Sequence, residues 1–256
     1  MKIDTKYGSK IIDCKPIAES IYDIVQHCIE ANNIHRKIAI IQVGNDMAST
    51  VYIRNKIKAC QKVWIETIYE HLNSDITTED LLKLINNYNN EISVTGIILQ
   101  SPIMANIDED KVQAAIAPEK DIDGFHAINI GNLVLNRHCC IPATAKAIYR
   151  ILQNTHTKIE GAECVIVGRS NIVGKPTANL LINRGATVTV CNSYTKNLQK
   201  ICSRADILIV AIGKPKFITS EYIKKGAIVI DVGINRNNDG KLCGDVDLEN
   251  VIDKVG

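Results

Sequence analysis

The sequence predicts an α/β protein of two α/β domains with a cleft between them, and three observations carry that expectation. Short runs of apolar residues recur along the chain at 38–43, 94–100, 164–167 and 207–211. Stretches with apolar residues at helical spacing lie between them, so strands and helices alternate, which implies parallel strands. Pro142 opens a helical stretch near the middle, which sets the domains at 1–141 and 142–256. With 256 residues, 46% of them hydrophobic, the chain is long enough to bury both cores.

Taken in order, Ile17, Ile21, Ile24, Val25 and Cys28 follow helical spacing, and residues 38–43 (IAIIQV) form a buried strand closed by Gly44 and Asn45. Asp46 or Ser49 caps the next helix, on which Ala48, Tyr52, Lys56, Ala59 and Val63 line one face. Tyr52 and Lys56 are therefore neighbours that reach one pocket, the ring lowering the exposure of the amine and favouring its neutral form. The plainer alternative is an amphipathic helix with Tyr52 in the core and Lys56 extending to water. A strand at 65–69, a helix at 81–88 and a strand at 94–100 continue the alternation. Gln100 then stands at a strand's C-terminal end, the edge where open α/β sheets bind ligands, and it either orients a substrate or caps the next loop. The segment APEKDIDGFHAINIGNL is rich in turn signals. Asp123 there either shapes the Asp-Gly turn or accepts from the N–H edge of a ligand. His126 and His138 have no partner at metal-ligand spacing, so no metal site is expected.

The second half reads as a Rossmann-like doubly wound parallel sheet. Strands at 164–167, 188–191, 207–211 and 227–232 alternate with helices starting near Thr177, Thr195 and Thr219. The stretch AECVIVGRSNIVGKP runs from strand to helix through a glycine-bearing loop. A helix start offers free N–H groups and the positive end of its dipole, so a phosphate there is held without a side chain. Gly168 and Gly174 let the backbone come close, although their spacing departs from G-x-G-x-x-G and equally fits a plain crossover. Where an NAD site has an acid after the second strand, this chain has Asn192, Ser193, Tyr194 and Thr195. Arg169 lies on the loop to meet a ribose 2′-phosphate, which favours NADP over NAD. Asp239-Gly240 marks a hairpin beyond the fourth strand.

Thirty basic and 28 acidic residues leave a net charge of +2, too weak a field to argue for nucleic acid or a membrane surface. Charges run through MKIDTKYGSKIID, and no run approaches the roughly 20 apolar residues of a span, so a cytoplasmic protein without signal peptide or anchor is expected. Nine cysteines without a C-x-x-C pair read as reduced small hydrophobes.

The Tyr-x-x-x-Lys helix (VGNDMASTVYIRNK), GIILQSP, the Lys-Asp-x-Asp-Gly loop and Gly-Arg-Ser-x-x-Val-Gly-x-Pro follow one another in order. With ATVTVCNSYT and ADILIVAIGKPKFI they resemble, over almost the whole chain, the bifunctional methylenetetrahydrofolate dehydrogenase/cyclohydrolase family of one-carbon metabolism. The resemblance implies that Tyr52 stacks on the folate, Lys56 handles the proton, Gln100 positions Lys56 and Asp123 binds the pterin. It implies NADP as cofactor, served by Gly168, Arg169, Ser170, Gly174, Ser193, Thr144 and Ile234, a homodimer through the second domain, and no metal. The implied reaction oxidises 5,10-methylenetetrahydrofolate and then hydrolyses the methenyl product to 10-formyltetrahydrofolate. Hydride transfer is driven by the electrons of the folate nitrogens and mainly needs alignment. Hydrolysis needs proton movement, for which a lysine with a pKa lowered by burial and by the nearby cation suits.

Departures from the family pattern fall at three places. The chain has Gln100-Ser101-Pro102-Ile103-Met104 for Gln-Leu-Pro-Leu-Pro, Pro142-Ala143-Thr144-Ala145 for Pro-Cys-Thr-Pro, and Asn192 for a histidine. The family also runs on into a Pro-Gly-rich loop and a last helix, whereas this chain stops at Gly256. The expectation from that end is an apolar groove on the first domain, freer hinge motion and weak turnover. A decayed relative that still binds folate or nucleotide is the alternative reading.

Overall fold

The computed structural model describes residues 8, 10–237 and 239–256. It divides into two compact units, one of residues 15–141 and one of 142–256 joined by the described residues up to Cys14. That N-terminal stretch is tied to the second unit where Lys10 Nζ donates to the carbonyl of Ile252 at 2.9 Å.

The unit of residues 15–141 runs α1 (Cys14–Ala31), β1 (Lys37–Val43), α2 (Met47–Lys62), β2 (Glu66–Leu72), α3 (Thr78–Asn90), β3 (Val94–Leu99), α4 (Glu109–Ala115) and α5 (Ala127–Val134). Its sheet is parallel throughout, with β1 between β2 and β3. A central parallel strand is covered on both faces, which is why β1 is buried from Ala39 to Val43 and has no alternation in its sequence. The core joins Ile41, Leu81, Ile85, Ile97, Val112 and Ile116. Helix α1 contributes no fully buried residue, and Ile21 and Ile24 are exposed. The inward face of α2 is that of Ser49 and Ile53, so Tyr52, 49% exposed, is not a core residue.

The second unit runs α6 (Ala143–Asn154), β4 (Glu163–Val167), α7 (Gly174–Ile182), β5 (Thr187–Cys191), α8 (Leu198–Cys202), β6 (Ile207–Val210), a 3-10 turn (Ser220–Tyr222), β7 (Ile228–Asp231), β8 (Asn235–Arg236), β9 (Leu242–Cys243) and α9 (Leu248–Val251). Its parallel sheet has the order β5-β4-β6-β7. Alternate residues of β4 and β6 feed two cores, Val165, Val167, Leu208 and Val210 on one face and Cys164, Ile166, Ile207 and Ile209 on the other. The chain leaves β4 for β5 on one side and returns to β6 on the other, so the strand order reverses between β4 and β6. In such sheets the crevice outside that point is where ligands bind.

Three helix starts differ from the sequence expectation. Helix α7 begins at Gly174, not near Thr177, because Lys175 N–H already reaches the carbonyl of Ser170 and Thr177 N–H that of Val173. Helix α8 waits until Leu198, after Asn197 in a left-handed conformation (φ 54°). The helix expected from Thr219 is a single 3-10 turn: Ile218 is paired with Val246 and β7 starts at Ile228, which leaves too few residues for a crossing helix. The Asp239-Gly240 signal does close the β8–β9 hairpin, with Gly240 at φ 74°.

Candidate functional site

In the unit of residues 15–141, Lys56 Nζ donates to Gln100 Oε1 at 3.2 Å. Both partners are half-buried. Local chemistry aims each of them. Asp46 caps α2 by accepting from Ser49 N–H at 2.6 Å, which decides between the two capping residues expected. Gln42, buried at the end of β1, donates to the carbonyl of Gly44 (3.2 Å) and to Thr50 Oγ1 (3.1 Å), and accepts from Tyr69 at 2.7 Å. The start of α2 is thereby fastened to the sheet edge. Gln100 N–H donates to Ile41, which prolongs the ladder beyond β3, and its Nε2 donates to Ser101 at 2.8 Å. The amide therefore braces the next loop with Nε2 and meets Lys56 with Oε1. Tyr52 stands one turn before Lys56 on the same helix.

Of the two acids in the Lys-Asp-x-Asp-Gly loop, Asp121 holds the turn. It is fully buried and accepts from the N–H groups of Gly124 (3.2 Å) and His126 (2.8 Å), from Asn129 Nδ2 (2.9 Å) and from Gln113 Nε2 (3.3 Å). Ile97 N–H donates to Lys120 at 2.7 Å and docks the loop on β3. Asp123 is left for other work: among the described residues no hydrogen bond engages its carboxyl. Burial raises the Asp123 pKa, the charge of Lys56 opposes that rise, and the charge of Asp121 adds to it. A lysine, an amide and a carboxyl that stays protonated more readily than usual thus share one electrostatic neighbourhood. Such a set can hold a polar heterocycle and move a proton. His126 caps α5, its Nδ1 accepting from Ile128 N–H at 3.1 Å, and the described residues contain no cluster of metal-ligating side chains.

In the second unit the glycine loop lies at the end of β4. A Cβ on Gly168 (φ 126°) would sit 2.3 Å from the carbonyl oxygen of Ala211, and one on Gly174 would sit 2.1 Å from that of Gly168, so no side chain fits at either place. The sequence suggested free N–H groups at this helix start, but two of them are taken. Ser170 Oγ accepts those of Val173 (3.1 Å) and Gly174 (3.4 Å), which leaves the serine's own proton for a ligand. Arg169 and Ser170 are exposed. Ser193, also exposed, follows the neighbouring strand β5 in a turn where Asn192 Oδ1 accepts from Tyr194 N–H at 2.9 Å. Thr144 lies on the first turn of α6 and Ile234, 67% exposed, lies beyond β7. Among the described residues no hydrogen bond links either to the glycine loop. Sequence reasoning missed the facing side of the crevice, the Ile212-Gly213-Lys214 loop after β6 and the buried Asp245 that holds it. A glycine directly after an apolar strand was the available signal.

Comparison with known proteins covers both halves of the chain. Residues 12–123 match the model of the tetrahydrofolate dehydrogenase/cyclohydrolase catalytic domain, and residues 142–256 match that of the NAD(P)-binding domain of the same family. The bifunctional protein FolD of Agathobacter rectalis is 48% identical over 252 residues, covering 96% of this chain and 90% of the relative. The crystal structure of the FolD methylenetetrahydrofolate dehydrogenase/cyclohydrolase from Campylobacter jejuni superposes with a TM-score of 0.92 at 40% identity, over 95% of this chain and 88% of that one. A Trypanosoma brucei dehydrogenase-cyclohydrolase, solved with NADP and an inhibitor, gives 0.90 at 30% identity, over 96% and 88%. Matched along both halves and at this identity, the chain belongs to the tetrahydrofolate dehydrogenase/cyclohydrolase family.

Proposed function

We propose that this chain oxidises 5,10-methylenetetrahydrofolate to the 5,10-methenyl compound with NADP, and then hydrolyses that cation to 10-formyltetrahydrofolate. The observation that carries the reading is the Lys56–Gln100 hydrogen bond, formed beside Asp123 in a chain of this family. Tyr52 offers its exposed ring as a stacking surface for the pterin. Asp123 meets the heterocycle's N–H edge. Gln100 holds Lys56 in place, and Lys56 accepts the proton of the attacking water and returns it when the ring carbon–nitrogen bond breaks.

NADP supplies the hydride acceptor when bound. The residues of the second unit fit it: the backbone at Gly168 and Gly174 leaves no room for side chains, the Ser170 proton is free, and Arg169 is exposed where no acid follows β5. Gly168, Arg169, Ser170, Gly174 and Ser193 take the phosphates and ribose in this reading, with Thr144 and Ile234 lining the remainder of the site.

A homodimer through the second unit is supported by β5, an edge strand with Val190 38% exposed. Nine cysteines, with no disulfide among the described residues, support a reducing, cytoplasmic setting, and no helix among those residues is long and apolar enough to cross a membrane. The alternative of a decayed relative has no support in the side chains, since Tyr52, Lys56, Gln100 and Asp123 are all present and the Lys56–Gln100 bond is made.

The test is the absorbance of methenyltetrahydrofolate formed from methylenetetrahydrofolate with NADP and with NAD, followed by its decay on hydrolysis. Formation with NADP and enzyme-dependent decay are expected. Failure of either step with intact, folded protein overturns the corresponding half of the proposal.

A further inference from the structure

The crevice at the ends of β4 and β6 has two sides, and the glycine-loop residues assigned to the cofactor, Gly168, Arg169, Ser170 and Gly174, occupy the β4 side. The other side is the loop of Ile212, Gly213 and Lys214. Its three consecutive N–H groups converge on one carboxylate. Asp245 Oδ2 accepts from Ile212 at 2.7 Å and Gly213 at 3.1 Å, and Oδ1 accepts from Lys214 at 2.7 Å and from Asn235 Nδ2 at 2.8 Å. Asp245 is completely buried.

A second carboxylate fixes the first. Asp231, the last residue of β7, accepts from Gly233 (2.9 Å), from Asp245 itself (3.0 Å) and from Val246 (2.9 Å). Two glycines make this approach possible. A Cβ on Gly233 would fall 2.4 Å from Asp245 Oδ1, and one on Gly244 would fall 1.8 Å from Asp231 Oδ2. The relay therefore runs from the end of β7 through Asp231 and Asp245 to the loop after β6.

The N–H and C=O of a trans peptide point in opposite directions. Turning the three N–H groups into Asp245 thus turns the carbonyls of Ala211, Ile212 and Gly213 away from it. The carbonyl of Ala211 lies against Gly168, so the loop is seated directly on the glycine loop across the point where the strand order reverses.

We propose that Asp245 is a positioning residue for the nicotinamide cofactor, holding the 212–214 backbone as a preformed wall of the dinucleotide crevice. The inference rests on the NADP reading above. An exposed loop with Gly213 at φ 65° has other conformations open to it, and a site whose competent form is only partly populated binds more weakly by that fraction. Fixing the loop in advance removes that loss from binding. The bound geometry is unchanged, so affinity is affected and turnover at saturation is not.

The experiment compares wild type, Asp245→Asn and Gly213→Ala in the full chain. The first substitution presents an amide donor to N–H groups that need an acceptor. A Cβ on Gly213 meets open space, its nearest neighbour being Asn235 Oδ1 at 4.0 Å, so that variant strains only the loop backbone. The readouts are the Kd of NADP by titration, KM and kcat of the dehydrogenase, and the hydrolysis of added methenyltetrahydrofolate without NADP. The expected result is a rise of about tenfold in Kd and KM for NADP with Asp245→Asn, a smaller rise with Gly213→Ala, and unchanged kcat and hydrolysis. Wild-type NADP affinity in folded Asp245→Asn overturns the role of Asp245, as does hydrolysis falling in step with the dehydrogenase. Where Asp245→Asn fails to fold, Gly213→Ala decides on the same readouts, and an unchanged NADP affinity overturns the proposal. A wild-type chain that binds no NADP overturns the cofactor reading itself, a result distinct from wild type and variants binding alike.

Discussion

The side-chain nitrogen of Lys56 donates to the side-chain oxygen of Gln100 at 3.2 Å across 44 positions of sequence. One partner rides on a helix whose start is clamped by Asp46 and Gln42, and the other prolongs β3 by donating its N–H to β1. The contact is therefore set by two rigid elements, which is the condition for a proton-transferring group to keep its aim.

Replacing Lys56 by methionine keeps most of the length of the side chain and removes its proton chemistry. Hydrolysis of methenyltetrahydrofolate should fall about 10²- to 10⁴-fold while hydride transfer falls much less. Rates of the two steps measured on the same preparation check this, and equal losses refute the role.

Arg169→Ala should narrow the preference for NADP over NAD by about 1.5–3 kcal/mol, the worth of a charge-assisted hydrogen bond to the 2′-phosphate. The change should fall on kcat/KM for NADP and leave that for NAD nearly intact. An unaltered ratio would remove Arg169 from the cofactor site.

Asp121→Asn should destabilise the chain by about 2–4 kcal/mol, because a buried acceptor of four hydrogen bonds becomes a partial donor facing two N–H groups. It should also raise KM for the folate, since the same bonds hold the loop that presents Asp123. Denaturant unfolding measures the first effect and steady-state kinetics the second. A large stability loss with an unchanged folate KM would confine Asp121 to the fold.

Asp123 carries a pH signature. Its folded-state pKa is raised, chiefly by burial, so it contributes stability that is fully present below its unfolded pKa and is lost as the pH rises through the folded value. Asp123→Asn should therefore be more stable than wild type at neutral pH, with the difference fading as the solution is acidified below the normal carboxylate range. Melting temperatures from about pH 3 to about pH 8 check the sign, and a gap that widens towards acid would contradict it.

Local chemistry was legible in the sequence. Buried parallel strands are continuous apolar runs, so β1, β3, β4 and β6 stood out, as did a helix cap at Asp46 or Ser49, the turn at Asp239-Gly240 and the glycines at 168 and 174. Each of these depends on residues within one or two turns of one another. Tertiary structure alone decided that Tyr52 lies outside the core and that Asp121 builds the loop while Asp123 is left free of it, and it supplied the hydrogen bond by which Gln100 meets Lys56. It also decided that the Asp231–Asp245 relay secures the far side of the crevice. Those outcomes follow from strand order and register, which bring together side chains tens of residues apart. Two aspartates two positions apart look alike in sequence until the backbone gives the carboxylate of one to the loop's own hydrogen bonds and leaves that of the other outside them.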